Sequence, residues 1–321
     1  MITAQKGLTH TMIRRLFLVV RFLALAVAVA VLPHGVDAQP SQIETFHVQG
    51  NVYMLIGAGA NIAVQTGDEG VLVVDTGASE MRDEVLAAIR RLSDKPIRWI
   101  INTHAHVDHT GGNEAVSQAG VTVNGNPAAI IAHEHVLAQM SDADRPITEW
   151  PLNSFFETQR DFYFNGEAIF LHHVSGAHTD GDILIYFRGS DVLVAGDIFV
   201  TTHFPVIEIE SGGGIDGFIE GLNMMLDITV PAYLQEGGTY VIPGHGRVGD
   251  EADVLEYRDM VLIIRDRIRS MLEQGMTLDE VMAAQPSLDY DPRYGNDSGP
   301  RTTANFIETV YRSLEQTSND R

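Results

Sequence analysis

Short apolar runs divided by glycine-rich turns fill the stretch from Glu44 to Gly77. Residues 46–49, 52–56, 61–65 and 71–74 carry the apolar side chains, and the breaks between them hold Gly50-Asn51, Gly57-Ala58-Gly59 and Gly67-Asp68-Glu69-Gly70. That spacing predicts antiparallel hairpins. Met81, Val85, Leu86, Ile89 and Leu92 then recur at helical intervals, with acids early and arginines late. A helix is expected over 79–92, with Ser79 as its N-cap. Residues 97–102 read as a buried strand. A short helix over 113–119, a strand at Val121–Val123 and a helix over 127–140 are expected next. His133 and His135, two apart on that helix, should lie on different faces, away from any chemistry. Residues 142–159 have no period and read as a long loop of the kind that borders a site.

Strand patterns return at 168–174, 183–187, 192–195 and 240–242, and the last part of the chain is amphipathic. Helices are expected over 251–274 and 302–314. Between them Thr277 and Glu280 form a capping box opening a helix that Pro286 closes, followed by a polar loop over 289–300.

Residues 1–38 have a different character. Arg14 and Arg15 precede an apolar run from Leu16 to Leu32 broken only by Arg21, and Val36-Asp37-Ala38 offers small residues for cleavage. This is the pattern of a secretory signal peptide. An uncleaved anchor is the alternative, since the run is only slightly short of a span; Arg21 and the small-residue exit favour removal. The expected mature protein is periplasmic or secreted, with no membrane span after signal removal.

Setting residues 1–38 aside removes four basic residues and one acid, so the formal net charge goes from −22 to −25. Such a chain repels phosphate backbones, which excludes nucleic acid as the expected partner and leaves a small-molecule substrate. With no cysteine anywhere, thiolate ligands and thiol nucleophiles are excluded too.

Chemistry concentrates directly after the 97–102 strand, where His104, His106, Asp108 and His109 fall within six residues. Imidazole and carboxylate at that density suit a borderline metal such as zinc. The loop leaves a strand's carboxyl end, where open α/β sheets place their sites, and Gly111-Gly112 lets the backbone approach closely. Asp75, at the end of the 71–74 run, is expected to clamp this loop by accepting its hydrogen bonds rather than to touch metal. His178, Asp197 and His245 stand in three further strand-end loops, each weak evidence alone.

In order, Val74-Asp75-Thr76-Gly77, His104-Ala105-His106-Val107-Asp108-His109, Gly176-Ala177-His178-Thr179, Gly196-Asp197 and Pro243-Gly244-His245-Gly246 resemble the motifs of the metallo-β-lactamase-fold hydrolases. The motifs span residues 44–246, and the resemblance is to the type whose two zinc ions share an aspartate, as in glyoxalase II and lactonases. It implies an α/β (α+β) fold, a four-layer αβ/βα sandwich of two mixed β-sheets with flanking helices plus C-terminal helices. The fold domain would run over 39–250, with 251–321 a helical extension packed on it. Two zinc ions per chain are implied, iron or manganese also suiting the donors. His104, His106 and His178 would hold the first, Asp108, His109 and His245 the second, and Asp197 both.

Two such cations about 3.5–4 Å apart lower the pKa of a shared water toward about 7. The implied activity is attack of a metal-bridged hydroxide on an ester, lactone, thioester or amide carbonyl, with Asp108 and His245 the catalytic residues. A β-lactamase is the alternative within the fold, and a non-catalytic metal-binding or scaffold protein the alternative outside enzymes. Position 200 is Val200 where β-lactamases of this fold place a lysine for the drug carboxylate, and the only lysine after residue 38 is Lys95. Unless Arg247 substitutes, an uncharged lactone or ester should outperform penicillins and carbapenems. Arg265, Arg267 and Arg269 are expected to be solvated charge, not the basic glutathione patch of glyoxalase II.

Overall fold

Val71 and Val73 turn one way from their strand and Leu72 and Val74 the other, yet all four are fully buried. A strand buried on both faces needs a layer on each side. The computed structural model, which describes residues 43–299 and 301–319, supplies both. Val71 and Val73 meet Val85, Ala88 and Ile89 of the helix Arg82–Leu92, and Val116 of the helix Asn113–Ala119. Leu72 and Val74 meet Ile169, Leu171, Ile183 and Ile185 of a second sheet. Leu184, Leu193 and Val241 on that sheet's far face are covered by Phe218 and Leu222 of the helix Ile215–Ile228, and by Val254 and Val261 of the helix Glu251–Glu273. Helix, sheet, sheet, helix: this is the expected αβ/βα sandwich.

The first sheet has the order β1 (Glu44–Gln49), β2 (Val52–Ala58), β3 (Ala60–Gly67), β4 (Gly70–Val74), β5 (Ile97–Ile101) and β6 (Ala129–Ile131). β1 to β4 form the antiparallel hairpins, and β5 and β6 add in parallel. The second runs β7 (Gln159–Phe164), β8 (Glu167–His173), β9 (Ile183–Phe187), β10 (Val192–Val194) and β11 (Tyr240–Ile242), antiparallel except for the β10–β11 pair. Both sheets are therefore mixed.

Several local expectations fail, and tertiary pairing explains most of them. Val121–Val123 is not a strand: Thr122 N donates to Asn126 O at 2.7 Å in a turn, and Val123 is 86% exposed. The strand lies later, inside the expected 127–140 helix. Ala129, Ile130 and Ile131 pair with Trp99, Ile100 and Ile101, and the helix begins only at Glu134. Ser79 caps nothing; a short 3₁₀ turn over Ser79–Met81 precedes the helix. β7 and the Ile215–Ile228 helix had no forecast.

The described residues form one compact unit. The helices Glu251–Glu273 and Thr303–Asn319 share an apolar core with the second sheet. Arg265 and Arg269 both bond Asp216, at 2.9 and 3.2 Å, and Arg267 bonds Asp289 at 2.7 Å, so these arginines tie helices together. The signal-peptide expectation falls on residues outside those described. Among the described residues no helix is long and apolar enough to cross a membrane.

Candidate metal centre

The topology brings the candidate loops to one edge. β4 and β5 are parallel, so Asp75 and the 102–109 loop leave the same end of the first sheet. β10 and β11 are parallel, so Asp197 and His245 leave the same end of the second. β9 runs against β10, which puts the turn carrying His178, between β8 and β9, at that end also.

All seven candidate ligands converge there. One group is His104, His106, His178 and Asp197, the other Asp108, His109 and His245, with one candidate ligand atom per residue, all within 4.8 Å of one another in each group. His106 Nδ1 lies 3.1 Å from both His104 Nε2 and His178 Nε2. Asp197 stands between the groups: Oδ1 is 3.3 Å from His109 Nε2 and 3.4 Å from His245 Nε2, and Oδ2 is 4.0 Å from His178 Nε2.

The hydrogen bonds behind the ligands determine which ring nitrogen faces inward. His109 Nδ1 donates to Asp75 Oδ2 at 2.7 Å. Thr103 Oγ1 gives its single proton to the same carboxylate at 2.7 Å, so at 3.0 Å it accepts from His104 Nδ1. His178 Nδ1 donates to Val206 O at 2.8 Å, and His106 Nε2 donates to Glu208 at 2.9 Å. Each of these rings has its outer nitrogen engaged, so the other nitrogen faces the centre and offers a lone pair to an ion once it is unprotonated. His109 Nε2 and Asp197 Oδ1 are buried with no hydrogen-bond partner. Buried polar atoms without partners are costly, and a bound cation answers both. The residues fit a metal.

Electrostatics divides the centre. Burial, reinforced by the neighbouring imidazoles, holds His104 well below its usual pKa, and burial takes His178 down to about 4. Both are neutral donors at pH 7. Burial also opposes charge on His109, but Asp75 and Asp197 outweigh it and raise its pKa well above 6.5. At His245, bonds from Asp108 and Asp197 likewise outweigh burial. In the first group only His106 is raised, Glu208 outweighing burial, whereas both histidines of the second group favour a proton where the ion would sit. Asp108 falls to about 2 because the His245 bond overcomes burial.

Asp75 is a clamp in this geometry: besides His109 and the Thr103 hydroxyl, it accepts Thr103 N at 2.8 Å, and it belongs to neither ligand group. Its own backbone is left-handed, at φ 61°. Gly244 serves Asp197, since a Cβ there would overlap Asp197 Oδ1.

Sequence reasoning missed three participants. Glu208, which orients His106, lies in a segment with no motif. Asn61 pins the His245 loop, its Nδ2 donating to Pro243 O at 2.9 Å and Gly246 O at 3.0 Å. Arg301, from the loop before the last helix, brings Nη2 to 3.2 Å from His245 Nε2 and 3.6 Å from Asp108 Oδ2. Val200 is buried, and Arg247 turns away to Asp253. The premise that no cation reaches the centre therefore fails, through a residue 56 positions beyond His245.

The sequence profile described as Metallo-beta-lactamase superfamily matches residues 55–263. Among curated relatives, a metallo-beta-lactamase type 2 from a Bacillus species is 22% identical over 203 residues, covering 63% of this chain and 72% of that protein. A linear primary-alkylsulfatase from a Pseudomonas species is 25% identical over 260 residues, covering 67% of this chain but 47% of its own length. Among solved structures, a metallo-beta-lactamase from Pontibacter korlensis superposes with a TM-score of 0.54 at 18% identity, over 69% of this chain and 99% of that one. A stereoselective inverting sec-alkylsulfatase from a Pseudomonas species gives 0.61 at 17%, over 84% and 50%. The chain thus spans about half the length of the alkylsulfatases it matches.

Proposed function

The chain belongs to the metallo-beta-lactamase superfamily of metal-dependent hydrolases, and we propose that it holds two zinc ions and hydrolyses a small ester, lactone, thioester or amide. The observation carrying this reading is the convergence of seven His and Asp ligand atoms in two groups, with His109 Nε2 and Asp197 Oδ1 buried and partnerless between them. His104, His106 and His178 would hold one ion, Asp108, His109 and His245 the other, with Asp197 shared. When bound, such ions supply an acidified water as nucleophile and an electrophile for the carbonyl oxygen.

The protein's own residues divide the remaining work. His104, His109 and His178 are fully buried, whereas the His106, Asp108 and His245 side chains are 30%, 29% and 12% exposed, so substrate arrives on their side. Asp108, ionised at pH 7 and beside the open face of the centre, is placed to carry the nucleophile's proton to the leaving group. His245, 3.4 Å from Asp108, holds that carboxylate in place. Ala105, Val107, Met140 and Ala143 line a cleft of about 310 Å³ beside His106 and Asp108, suited to an apolar substituent.

A scaffold role is disfavoured because all seven donors are present and in place. Hydrolysis of β-lactams or sulfate esters is the second reading, motivated by Arg301 and by the activities in the relatives' names. Metal analysis of the purified chain, followed by a panel of lactones, thioesters, β-lactams and alkyl sulfates, tests both. Two zinc ions with chelator-sensitive turnover of a carbonyl substrate support the proposal; a chain that binds no metal and turns over nothing defeats it. Export supported by residues 1–38 is part of the same reading, and fractionation of the expressing cell tests it.

A further inference from the structure

We propose that Arg301 is a specificity-determining residue, and that the substrate carries an anionic group close to its scissile bond. This deepens the hydrolase reading above and rests on it. The arginine is held from behind. His203 Nδ1 donates to Phe204 O at 2.7 Å, which leaves the Nε2 lone pair to accept Arg301 Nη1 at 3.1 Å. The helix that follows is seated by Phe306, stacked on Phe204 with ring centroids 4.9 Å apart, and by the buried Ile307 and Val310.

Its charge has no dedicated partner. Neighbouring arginines are committed elsewhere: Arg145 to Glu149, Arg247 to Asp253 and Arg312 to Glu308. Arg301 instead faces His245 Nε2 and Asp108 Oδ2, which are candidate ligand atoms. Once those atoms hold a cation, the guanidinium confronts like charge in a partly buried place. An anionic group bound at the guanidinium resolves that conflict, and a planar guanidinium reads a carboxylate or sulfate through two donors at once. A cleft of about 260 Å³, walled by Phe204, Pro205, Ile207, Thr302, Phe306 and Glu308, opens beside Arg301, and none of its lining residues is a candidate ligand.

The test compares γ-butyrolactone-γ-carboxylate with its carboxamide, which share the reacting ring and differ in charge. The ratio of their kcat/KM values on the metal-loaded chain is measured for the parent, R301K and R301M. Methionine should lower the charged-to-neutral ratio about 10- to 100-fold, and lysine should restore part of it. A ratio within threefold of the parent in R301M overturns the proposal. Calorimetric binding of tetrahydrofuroate, which has no scissile carbonyl, separates the two readings. Tight binding lost in R301M, with neither lactone turned over, keeps the anchor and sinks the hydrolase; turnover of both lactones with arginine-independent binding does the reverse.

Discussion

Two histidine clusters approach each other in the chain, His173 standing five residues before His178, and only one has its ring nitrogens arranged to share a metal. His133, His135 and His173 also place candidate ligand atoms within 4.8 Å of one another, as the two groups of the candidate metal centre do. Their neighbour Asp180 lies two residues from His178. The orientation differs. His133 and His173 stack face to face, 3.6 Å between centroids at 6°, so their in-plane lone pairs run parallel and share no point. His135 Nδ1 and His173 Nε2 both donate to Asp180 O, at 3.0 and 2.7 Å, which engages the nitrogens nearest each other. His133 sits extended at the helix N-cap (φ −66°, ψ 152°), not on the helix face expected for it, and so meets His173. This cluster latches the Glu134–Asp142 helix to β8 and the His178 loop. Proximity collects histidines; the bonds behind each ring make a site.

Breaking the first cluster should have the largest effect. Asp197→Ala removes the shared carboxylate and should lower kcat/KM by about a thousandfold or more, with metal lost in elemental analysis. Asp75→Asn keeps every donor but loosens the His104–His109 loop. Activity should fall about 10- to 100-fold while zinc content is largely kept, and loss of both ions would show Asp75 to be more than a clamp.

The divided electrostatics gives the next effect. Because Asp75 and Asp197, outweighing burial, raise His109, metal at the second group must displace a proton at pH 7. Its affinity, read by competition with a chelator, should weaken about tenfold for each unit the pH falls. The first group, where His178 near 4 and His104 low leave only His106, raised by Glu208 against burial, to release a proton, should respond less steeply.

The latch should show itself in stability instead. Burial, then His173 and His135, lower His133 to about 4. The unfolded chain therefore binds the extra proton between about 4 and 6.5, and stability present above 6.5 is lost as pH falls through that window. His133→Asn should remove up to about 3 kcal/mol of that acid sensitivity, read by urea unfolding at several pH values. The smallest change is expected from His135→Asn, which should leave zinc stoichiometry as it was. A third zinc ion in the parent that this variant loses would collapse the distinction between the clusters.

The sequence alone determined the strands and the candidate ligands, because both are written locally, while the layers followed from the family resemblance. Val71–Val74 reads as a strand among hairpins, and His104, His106, Asp108 and His109 are neighbours in the chain. With His178, Asp197 and His245 at strand ends, a centre at one sheet edge was legible before any coordinates. Only the tertiary structure decided what surrounds it. Ala129–Ile131 becomes a strand because β5 offers it a parallel partner, against a local pattern that reads as helix. Glu208, Asn61 and Arg301 carry no motif, since a hydrogen bond made across the fold leaves no periodicity in the chain. Ring orientation is likewise invisible in sequence: His106 and His133 are the same side chain, and what each can bind depends on which nitrogen its neighbours have already engaged.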